Sequence, residues 1–324
     1  MSGAYAVDFF FILSGFIMAY VYKEKLVKNF NKQEIFNFYI KRFARIYPLH
    51  IFTLLLLLLT ASLELWVPNR PVFEPKVLFL NFSLMNVWFH PSINMPAWSI
   101  SAEFISYLFF PVIVFLLRKQ KKNSHNIIII FLLCLLYSSL IDIFGFKSWH
   151  YGIIATARAT IGFIIGFLLH DIFKNSDSKD SKRFDPDYIC LSLLVVYFLL
   201  LHLGFPTLFT YVFIPPIIFF LASSKTIAHF IFSNKISLYL GKISFSIYLI
   251  HCPILEYYKA FYSHKYMQLN PETDQLYIWG HLLLIIITVL VVAALCYHLV
   301  EYPSRRALIR TFIKSDSLQK TSRD

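Results

Sequence analysis

One carboxylate lies in a stretch of sequence that otherwise suits lipid. Residues 95–111 read MPAWSISAEFISYLFFP, and Glu103 is the ionisable acid within them. An ionised carboxylate in the hydrocarbon of a bilayer costs at least about 2.5 kcal/mol, so such a residue usually faces a partner or a water-filled cavity. The position suggests a polar cavity among apolar helices, which the carboxylate of Glu103 would line.

Three further ionisable residues, Asp8, Arg158 and His251, occupy comparable positions in other apolar segments. At a rise of about 1.5 Å per residue, Glu103 and Arg158 each lie roughly 9 Å from the outer ends of their segments. One polar cavity could hold all four side chains. Glu103 and Arg158 could instead form a buried ion pair that only fixes helix packing. Asp8 could be interfacial, and His251 could be a hydrogen-bonded core histidine.

Two arginines form a second cluster. The segment KRFARIYP (41–48) places Arg42 and Arg45 three residues apart, so on a helix they share a face. Guanidinium groups suit bidentate binding of phosphate. The pair could therefore hold a phosphate-bearing cofactor that approaches from the cytoplasm, or it could only anchor a helix end at the membrane surface.

The elements that must position these residues are membrane spans. The 324 residues are 58% hydrophobic and 15% charged, whereas a typical soluble domain is about 25% charged. A span needs roughly 17–25 apolar residues, and nine segments qualify: 5–22, 46–66, 97–117, 127–145, 152–173, 188–205, 207–223, 242–262 and 278–300. The predicted fold is all-α, a polytopic transmembrane helix bundle of about nine spans. It forms one domain over residues 1–313, and the polar tail 314–324 is expected to be disordered.

Basic residues are distributed unevenly between alternate loops. The net charge is +12, and the loops on one side of the predicted bundle hold 24 lysines and arginines, against 4 on the other side. By the positive-inside rule this predicts a cytoplasmic C-terminus and an extracytoplasmic N-terminus. The basic charge is therefore a feature of topology, and no nucleic-acid partner is expected. Clusters such as RKQKK (118–122) can also attract anionic membrane lipid.

The four cysteines lie singly in apolar segments. They are Cys134, Cys190, Cys252 and Cys296, and no short spacing links them. This pattern is typical of small core residues rather than of a disulfide framework or a metal site. No metal is expected, and the sequence leaves the oligomeric state open.

Six stretches, taken together, identify a family. They read VDFFFILSGFIMAYVY (7–22), FYIKRFARIYPLH (38–50), MPAWSISAEFISYLFFP (95–111), ARATIGFIIGFLL (157–169), ISFSIYLIHCPI (243–254) and HLVEYPSRR (298–306). In their order along the chain they resemble the acyltransferase-3 family of integral membrane acyltransferases, over nearly the whole sequence.

The resemblance implies an O-acyltransferase of the bacterial inner membrane. Such an enzyme takes an acyl group, typically acetyl, from cytoplasmic acyl-CoA. It passes the group to a hydroxyl of an extracytoplasmic carbohydrate such as lipopolysaccharide O-antigen, peptidoglycan or exopolysaccharide. The alternative functions are a transporter or flippase that uses the same polar residues for passage, and an inactive remnant of the family.

The resemblance also implies roles for single residues. Arg42 and Arg45 match the paired arginines that the family associates with the acyl donor. Glu103 matches the acidic residue after its Trp-Ser pair, where it would orient the base or bind the acceptor. His251 matches the histidine of the SxYxxH helix, and Asp8 matches the aspartate before a phenylalanine-rich run.

The same stretches supply the expected substrate contacts. Trp98 and Ser99 form the Trp-Ser pair, and Tyr248 is the tyrosine of the SxYxxH helix. Trp98 could alternatively belong to an aromatic belt at the membrane surface. Arg158 and His251 would supply polar or positive potential for the oxyanion that acyl transfer creates.

The chain departs from the family pattern at its start. The family has ten core spans, and the first carries an arginine and a histidine regarded as the essential base. The residues MSGAYAVDFF correspond to the beginning of the second span. The first helix is therefore expected to be missing, and the chain as given is expected to have little activity.

Overall fold

The computed structural model describes residues 3–65, 71–88, 92–118, 122–144, 151–177, 186–205, 207–266 and 275–313. Within these ranges the regular structure is helical and contains no strand. The tail at 314–324, predicted to be disordered, lies outside the described residues.

Thirteen α-helices and two π-helical turns follow one another along the described chain. The α-helices are α1 Gly3–Met18, α2 Glu24–Lys28, α3 Lys32–Ser62, α4 Pro75–Phe82, α5 Ala97–Leu116, α6 Asn123–Phe144, α7 Gly152–Asp177, α8 Pro186–His202, α9 Thr207–Ser223, α10 Ile227–Ser233, α11 Lys235–Tyr266, α12 Gln275–Cys296 and α13 Tyr302–Ile313. The π-helical turns are Ala19–Lys23, between α1 and α2, and Tyr297–Glu301, between α12 and α13.

Each of the nine predicted spans falls on a helix, and the all-α polytopic bundle is confirmed. The span count differs from nine. Among the described residues, seven helical runs are long and apolar enough to cross a membrane, and the pair α9 and α10, bent by 87°, could supply an eighth. The 17 residues of α8 cover roughly 26 Å at about 1.5 Å per residue, short of the about 30 Å of a hydrocarbon core.

The boundary between α8 and α9 depends on a glycine. Gly204 has a φ of +68°, a left-handed conformation that glycine adopts without steric cost. The backbone N–H of Phe205 donates to the carbonyl of Leu200 at 3.1 Å, the bond that closes a Schellman-type helix end. This local geometry separates two apolar segments that only a few residues divide in the sequence.

The described chain divides into two compact units. The first contains Met1–Phe38 and Ala102–Leu238, and the second contains Tyr39–Ser101 and Tyr239–Asp324. The functional groups described below each lie within one of these units.

In the first unit, glycines allow α1 and α7 to approach closely. A Cβ atom at Gly15 would overlap the backbone of Phe163, and one at Gly166 would overlap the backbone carbonyl of Ile12. Small residues of this kind let helix backbones meet in lipid, where no hydrophobic force drives helices together. The contact fixes the register of two helices that each carry a predicted site residue.

In the second unit, polar bonds anchor the segment between α3 and α5. The carbonyl of Asn81 lies 2.8 Å from Nε2 of His50 on α3, and the Asn81 side chain accepts from the backbone N–H of Ile93 at 3.0 Å. The hydroxyl of Ser101 donates to the carbonyl of Leu84. These bonds position the first turn of α5, which carries the predicted Trp-Ser pair.

Candidate active site

A buried ion pair joins α1 and α7 in the first unit. Nε of Arg158 donates to Oδ1 of Asp8 at 2.6 Å, and Nη2 donates to Oδ2 at 3.0 Å. The hydroxyl of Tyr137 on α6 donates to the same carboxylate at 2.7 Å. Asp8 is 0% exposed and Arg158 is 1% exposed, so both charged groups are enclosed by protein. Bidentate bonding and a third donor compensate both charges away from water.

An aromatic ring supports this ion pair from α9. Tyr137 stacks on Tyr211 with ring centroids 3.8 Å apart, and both residues are buried. The ring contact limits the positions that the Tyr137 hydroxyl can reach. Three helices, α1, α6 and α7, thus meet at one carboxylate, and α9 braces them.

The carboxylate of Glu103 lies in the same unit and accepts bonds from hydroxyl groups. Ser14 Oγ donates to Oε1 at 2.6 Å, and the hydroxyl of Tyr107 donates to the same oxygen. The two hydroxyl oxygens are themselves 2.9 Å apart. Glu103 is 3% exposed, so these donors compensate a carboxylate held away from solvent. The arrangement can bind a hydroxyl and receive its proton.

In the second unit, His251 is held in one orientation on α11. Its Nδ1 lies 2.6 Å from the backbone carbonyl of Tyr248. A carbonyl only accepts hydrogen bonds, so Nδ1 must carry the hydrogen, and in the neutral ring Nε2 then keeps its lone pair. Nε2 lies 3.5 Å from Sγ of Cys252, and the side chain is half-buried. His251 is therefore in the tautomer that a base at Nε2 requires.

The start of α5 meets the same stretch of α11. Ser99 Oγ lies 2.5 Å from the Tyr248 hydroxyl, which also donates to the carbonyl of Pro96 at 3.2 Å. Trp98 is buried in the protein, whereas a residue of an aromatic belt would face the lipid headgroups. The predicted substrate contacts Ser99 and Tyr248 thus lie together, one helical turn from His251.

One of the paired arginines is held by a buried acid. Arg45 Nη1 donates to Oε1 of Glu301 at 2.6 Å, and Ser246 Oγ donates to Oε2 at 2.7 Å. Glu301 is the last residue of the second π-helical turn and is buried, while the Arg45 side chain stays 27% exposed. Arg42 is half-buried on the preceding turn of α3. The Nη1 end of the Arg45 guanidinium is held by Glu301, and the exposed part of the side chain can bind an anion.

Several polar residues around these groups were missed by the sequence analysis. Ser14 and Tyr137 resemble ordinary polar residues of apolar helices, and no sequence signal identifies them. Ser246 is the serine of the SxYxxH stretch that also contains Tyr248 and His251, and this motif could have marked it. Tyr107 lies four residues after Glu103, and this spacing could have placed it on the same helix face. Glu301 lies within HLVEYPSRR, one of the six stretches that carry the family resemblance, and this membership could have marked it.

A second buried ion pair lies in the first unit. Lys23, the last residue of the first π-helical turn, pairs with Asp171 on α7. The lysine ammonium also lies 4.5 Å from the ring centroid of Phe167. The sequence analysis counted Lys23 with a basic loop, because a lysine at a helix end is usually exposed.

The chain matches known proteins over most of its length. The acyltransferase-3 family model, described as an acyltransferase domain, matches residues 1–297. Acyltransferase MdmB of Streptomyces mycarofaciens is 34% identical over 122 residues, which cover 36% of this chain and 30% of that protein. The protein of Staphylococcus aureus strain COL named "Putative O-acetyltransferase SACOL0978" is 26% identical over 338 residues, which cover 95% of this chain and 54% of that protein. The chain thus spans about half the length of this staphylococcal relative. No solved structure matches it.

Proposed function

The chain belongs to the acyltransferase-3 family, and from that premise we propose that it transfers an acyl group to a hydroxyl acceptor. The observation that carries the proposal is the Glu103 carboxylate, buried among apolar helices and bonded to two hydroxyls. Attack by a hydroxyl oxygen on a thioester carbonyl requires a group that removes the hydroxyl proton. A carboxylate that already accepts from Ser14 and Tyr107 suits that role.

The proposed reaction is a single acyl transfer. The acceptor oxygen forms a bond to the thioester carbonyl carbon, its proton passes to a base, and the carbon–sulfur bond breaks. The leaving thiolate then takes a proton and departs as the free thiol. Glu103 binds the acceptor hydroxyl and is one candidate base. His251, with its lone pair on Nε2, is the other, and the supporting observation is its bond to the Tyr248 carbonyl.

We propose acetyl-CoA as the donor. The supporting feature is Arg45, whose guanidinium is oriented by Glu301 and stays partly exposed, with Arg42 on the preceding turn. Such a pair suits the phosphates of coenzyme A. The name of the staphylococcal relative specifies acetyl transfer to oxygen, which supports acetyl as the group moved.

We propose an extracytoplasmic carbohydrate as the acceptor, in a bacterial inner membrane with the C-terminus inside. The uneven distribution of basic residues supports this orientation, because it places the paired arginines towards the cytoplasmic donor. In the same topology, Glu103 would lie nearer the extracytoplasmic end of its span. Donor and acceptor would then approach from opposite faces of the membrane.

The test is a transfer assay in oriented membrane vesicles. Labelled acetyl-CoA is supplied on the cytoplasmic side, and alkali-labile acetyl groups are measured on extracytoplasmic carbohydrate. In an active form of the protein, the expected result is label on the carbohydrate that depends on acetyl-CoA and falls strongly in Glu103→Gln. Movement of unmodified carbohydrate across the membrane without acetyl transfer would overturn the proposal and favour a transporter.

A further inference from the structure

An apolar groove lies between α6, α7 and α9 in the first unit. Its volume is about 420 Å³, within the range of roughly 300–1,000 Å³ that is typical of ligand sites. The walls are apolar side chains, among them Ile130, Cys134, Leu169, Ile172 and Pro216. None of the functional groups described above lines this groove, so it is a separate feature of the molecule.

The groove opens towards the surroundings of the bundle. Ile127 and Phe131, on its α6 wall, are about half exposed. On α9, Pro215 and Pro216 follow one another, and proline both removes a backbone donor and crowds the preceding turn. α6 and α7 are long and apolar enough to span a membrane, so in a bilayer the opening faces hydrocarbon.

A polar side chain lies just beyond one end of the groove. Asn126 is 1% exposed, and within the described residues its Nδ2 atom has no hydrogen-bond partner. Asn126, Ile130 and Cys134 follow one another at intervals of four residues on α6, so they share a helix face. Because an unsatisfied buried amide destabilises the fold, the position suggests an acceptor supplied by a ligand.

A cation lies four residues before Asn126, next to the first residue of α6. The backbone N–H of Asn126 donates to the carbonyl of Lys122 at 3.3 Å, and the Lys122 side chain is exposed. Beside it, Asn175 on α7 donates to Asn123 on α6 at 2.9 Å and joins the two helices at this end. The order along the chain from Lys122 into α6 is therefore a cation, a buried amide and an apolar groove.

We propose that this face binds one anionic phospholipid of the surrounding membrane. One acyl chain fills the groove between α6, α7 and α9, an ester carbonyl accepts from Asn126, and the phosphate lies near Lys122. The charge, the polar donor and the apolar groove occur in the order that such a lipid presents. The inference does not depend on the proposed acyl transfer.

The first test measures lipid retention by native mass spectrometry. The purified chain in detergent is titrated with phosphatidylglycerol or with phosphatidylcholine of the same acyl chains. One phosphatidylglycerol should be retained, roughly fivefold more tightly than phosphatidylcholine, and Lys122→Gln should remove that preference. Cys134→Phe, which fills the groove, should abolish retention of both lipids. Leu136→Phe, on an exposed part of the same helix, should leave it unchanged.

Absence of a retained lipid in the unmodified chain, or equal retention in Cys134→Phe and Leu136→Phe, would overturn the proposal. A second measurement does not depend on how well Cys134→Phe folds. If the Asn126 amide meets no ligand, Asn126→Leu removes a buried unsatisfied group and should raise the unfolding temperature in phosphatidylglycerol. If the lipid carbonyl accepts from Asn126, the same substitution should lower that temperature, and only this second result supports the site.

Discussion

Replacing Glu301 with glutamine tests whether the second π-helical turn orients Arg45 for the proposed acetyl-CoA donor. The carboxylate gives one oxygen to Arg45 at 2.6 Å and the other to Ser246 at 2.7 Å, and it is buried. Glutamine has nearly the same size but offers one acceptor oxygen in place of two, and it carries no charge. Glu301→Gln should therefore keep the packing around α13, while the bond from the Arg45 guanidinium to residue 301 becomes weaker.

The expected loss of unfolding free energy follows from the type of hydrogen bond that the substitution removes. A hydrogen bond to a charged group contributes roughly 1.5–3 kcal/mol, so the free energy of unfolding should fall by about that amount. If the full effect reaches donor binding, the Kd for acetyl-CoA should rise roughly 10- to 100-fold, since about 1.4 kcal/mol corresponds to a factor of ten. The KM for acetyl-CoA should rise with it, while kcat at saturating donor changes little, because Glu301 acts through Arg45.

The assay is a double-mutant cycle with Arg45→Gln and Glu301→Gln. Unfolding free energy in detergent and acetyl-CoA affinity by calorimetry are measured for both single variants and for the double variant. The matched control is Glu256→Gln, which removes an exposed acid that pairs with Lys259 at 3.2 Å in the same unit. An exposed pair contributes about 0–1 kcal/mol, so the control should change neither quantity appreciably.

The cycle has a clear refuting result. If Glu301 works by orienting Arg45, the double variant should bind acetyl-CoA no more weakly than Arg45→Gln alone. Effects on affinity that simply add would show that the two residues act independently. A fall in stability without any change in acetyl-CoA affinity would leave Glu301 as a packing residue only.

Three further outcomes are expected. Glu103→Gln should insert and fold normally, because an amide oxygen still accepts hydrogen bonds from hydroxyls. Acetyl transfer should nevertheless fall roughly 100- to 10,000-fold, the usual contribution of a general base. A turnover assay that finds wild-type activity would contradict this role. Asp8→Asn should reduce the free energy of unfolding, measured by denaturant titration, by about 3–5 kcal/mol, because Arg158 stays buried without a counter-charge from Asp8. A loss below about 1 kcal/mol would argue against that pairing. Gly166→Val should lower the free energy of unfolding by about 1–3 kcal/mol or more, because the added side chain would clash with α1. The control Gly241→Ala has open space around it and should be neutral or slightly stabilising.

Length and apolarity were enough to predict the long apolar helices of the described chain. A segment of about 20 apolar residues has few folded alternatives in lipid, because its backbone groups must bond within the segment. The π-helical turns at Ala19–Lys23 and Tyr297–Glu301 were not predictable from such patterns. Each ends at a charged residue, Lys23 or Glu301, that is buried in an ion pair with a distant helix. That partnership belongs to the tertiary structure.

The sequence indicated which buried charges need partners but not which residues those partners are. Intramembrane charge is costly enough to mark Asp8, Glu103 and Arg158 as residues that need a partner. Depth along the helices could not choose between partners, since Glu103 and Arg158 lie at similar depths. The structure pairs Arg158 with Asp8 and gives Glu103 the hydroxyls of Ser14 and Tyr107.

The choice of partner for Arg158 follows from helix packing. Glycines on α1 and α7 bring the two backbones together, and a long guanidinium on α7 then reaches a short carboxylate on α1. The carboxylate of Glu103 meets a small hydroxyl on the same α1 helix, at Ser14. Asp8 is thus bound by a guanidinium in two charge-assisted bonds, whereas Glu103 accepts bonds from two hydroxyls. This difference in partners supports the proposal that Glu103 contacts the acceptor hydroxyl, while the bonds of Asp8 join α1 to α7.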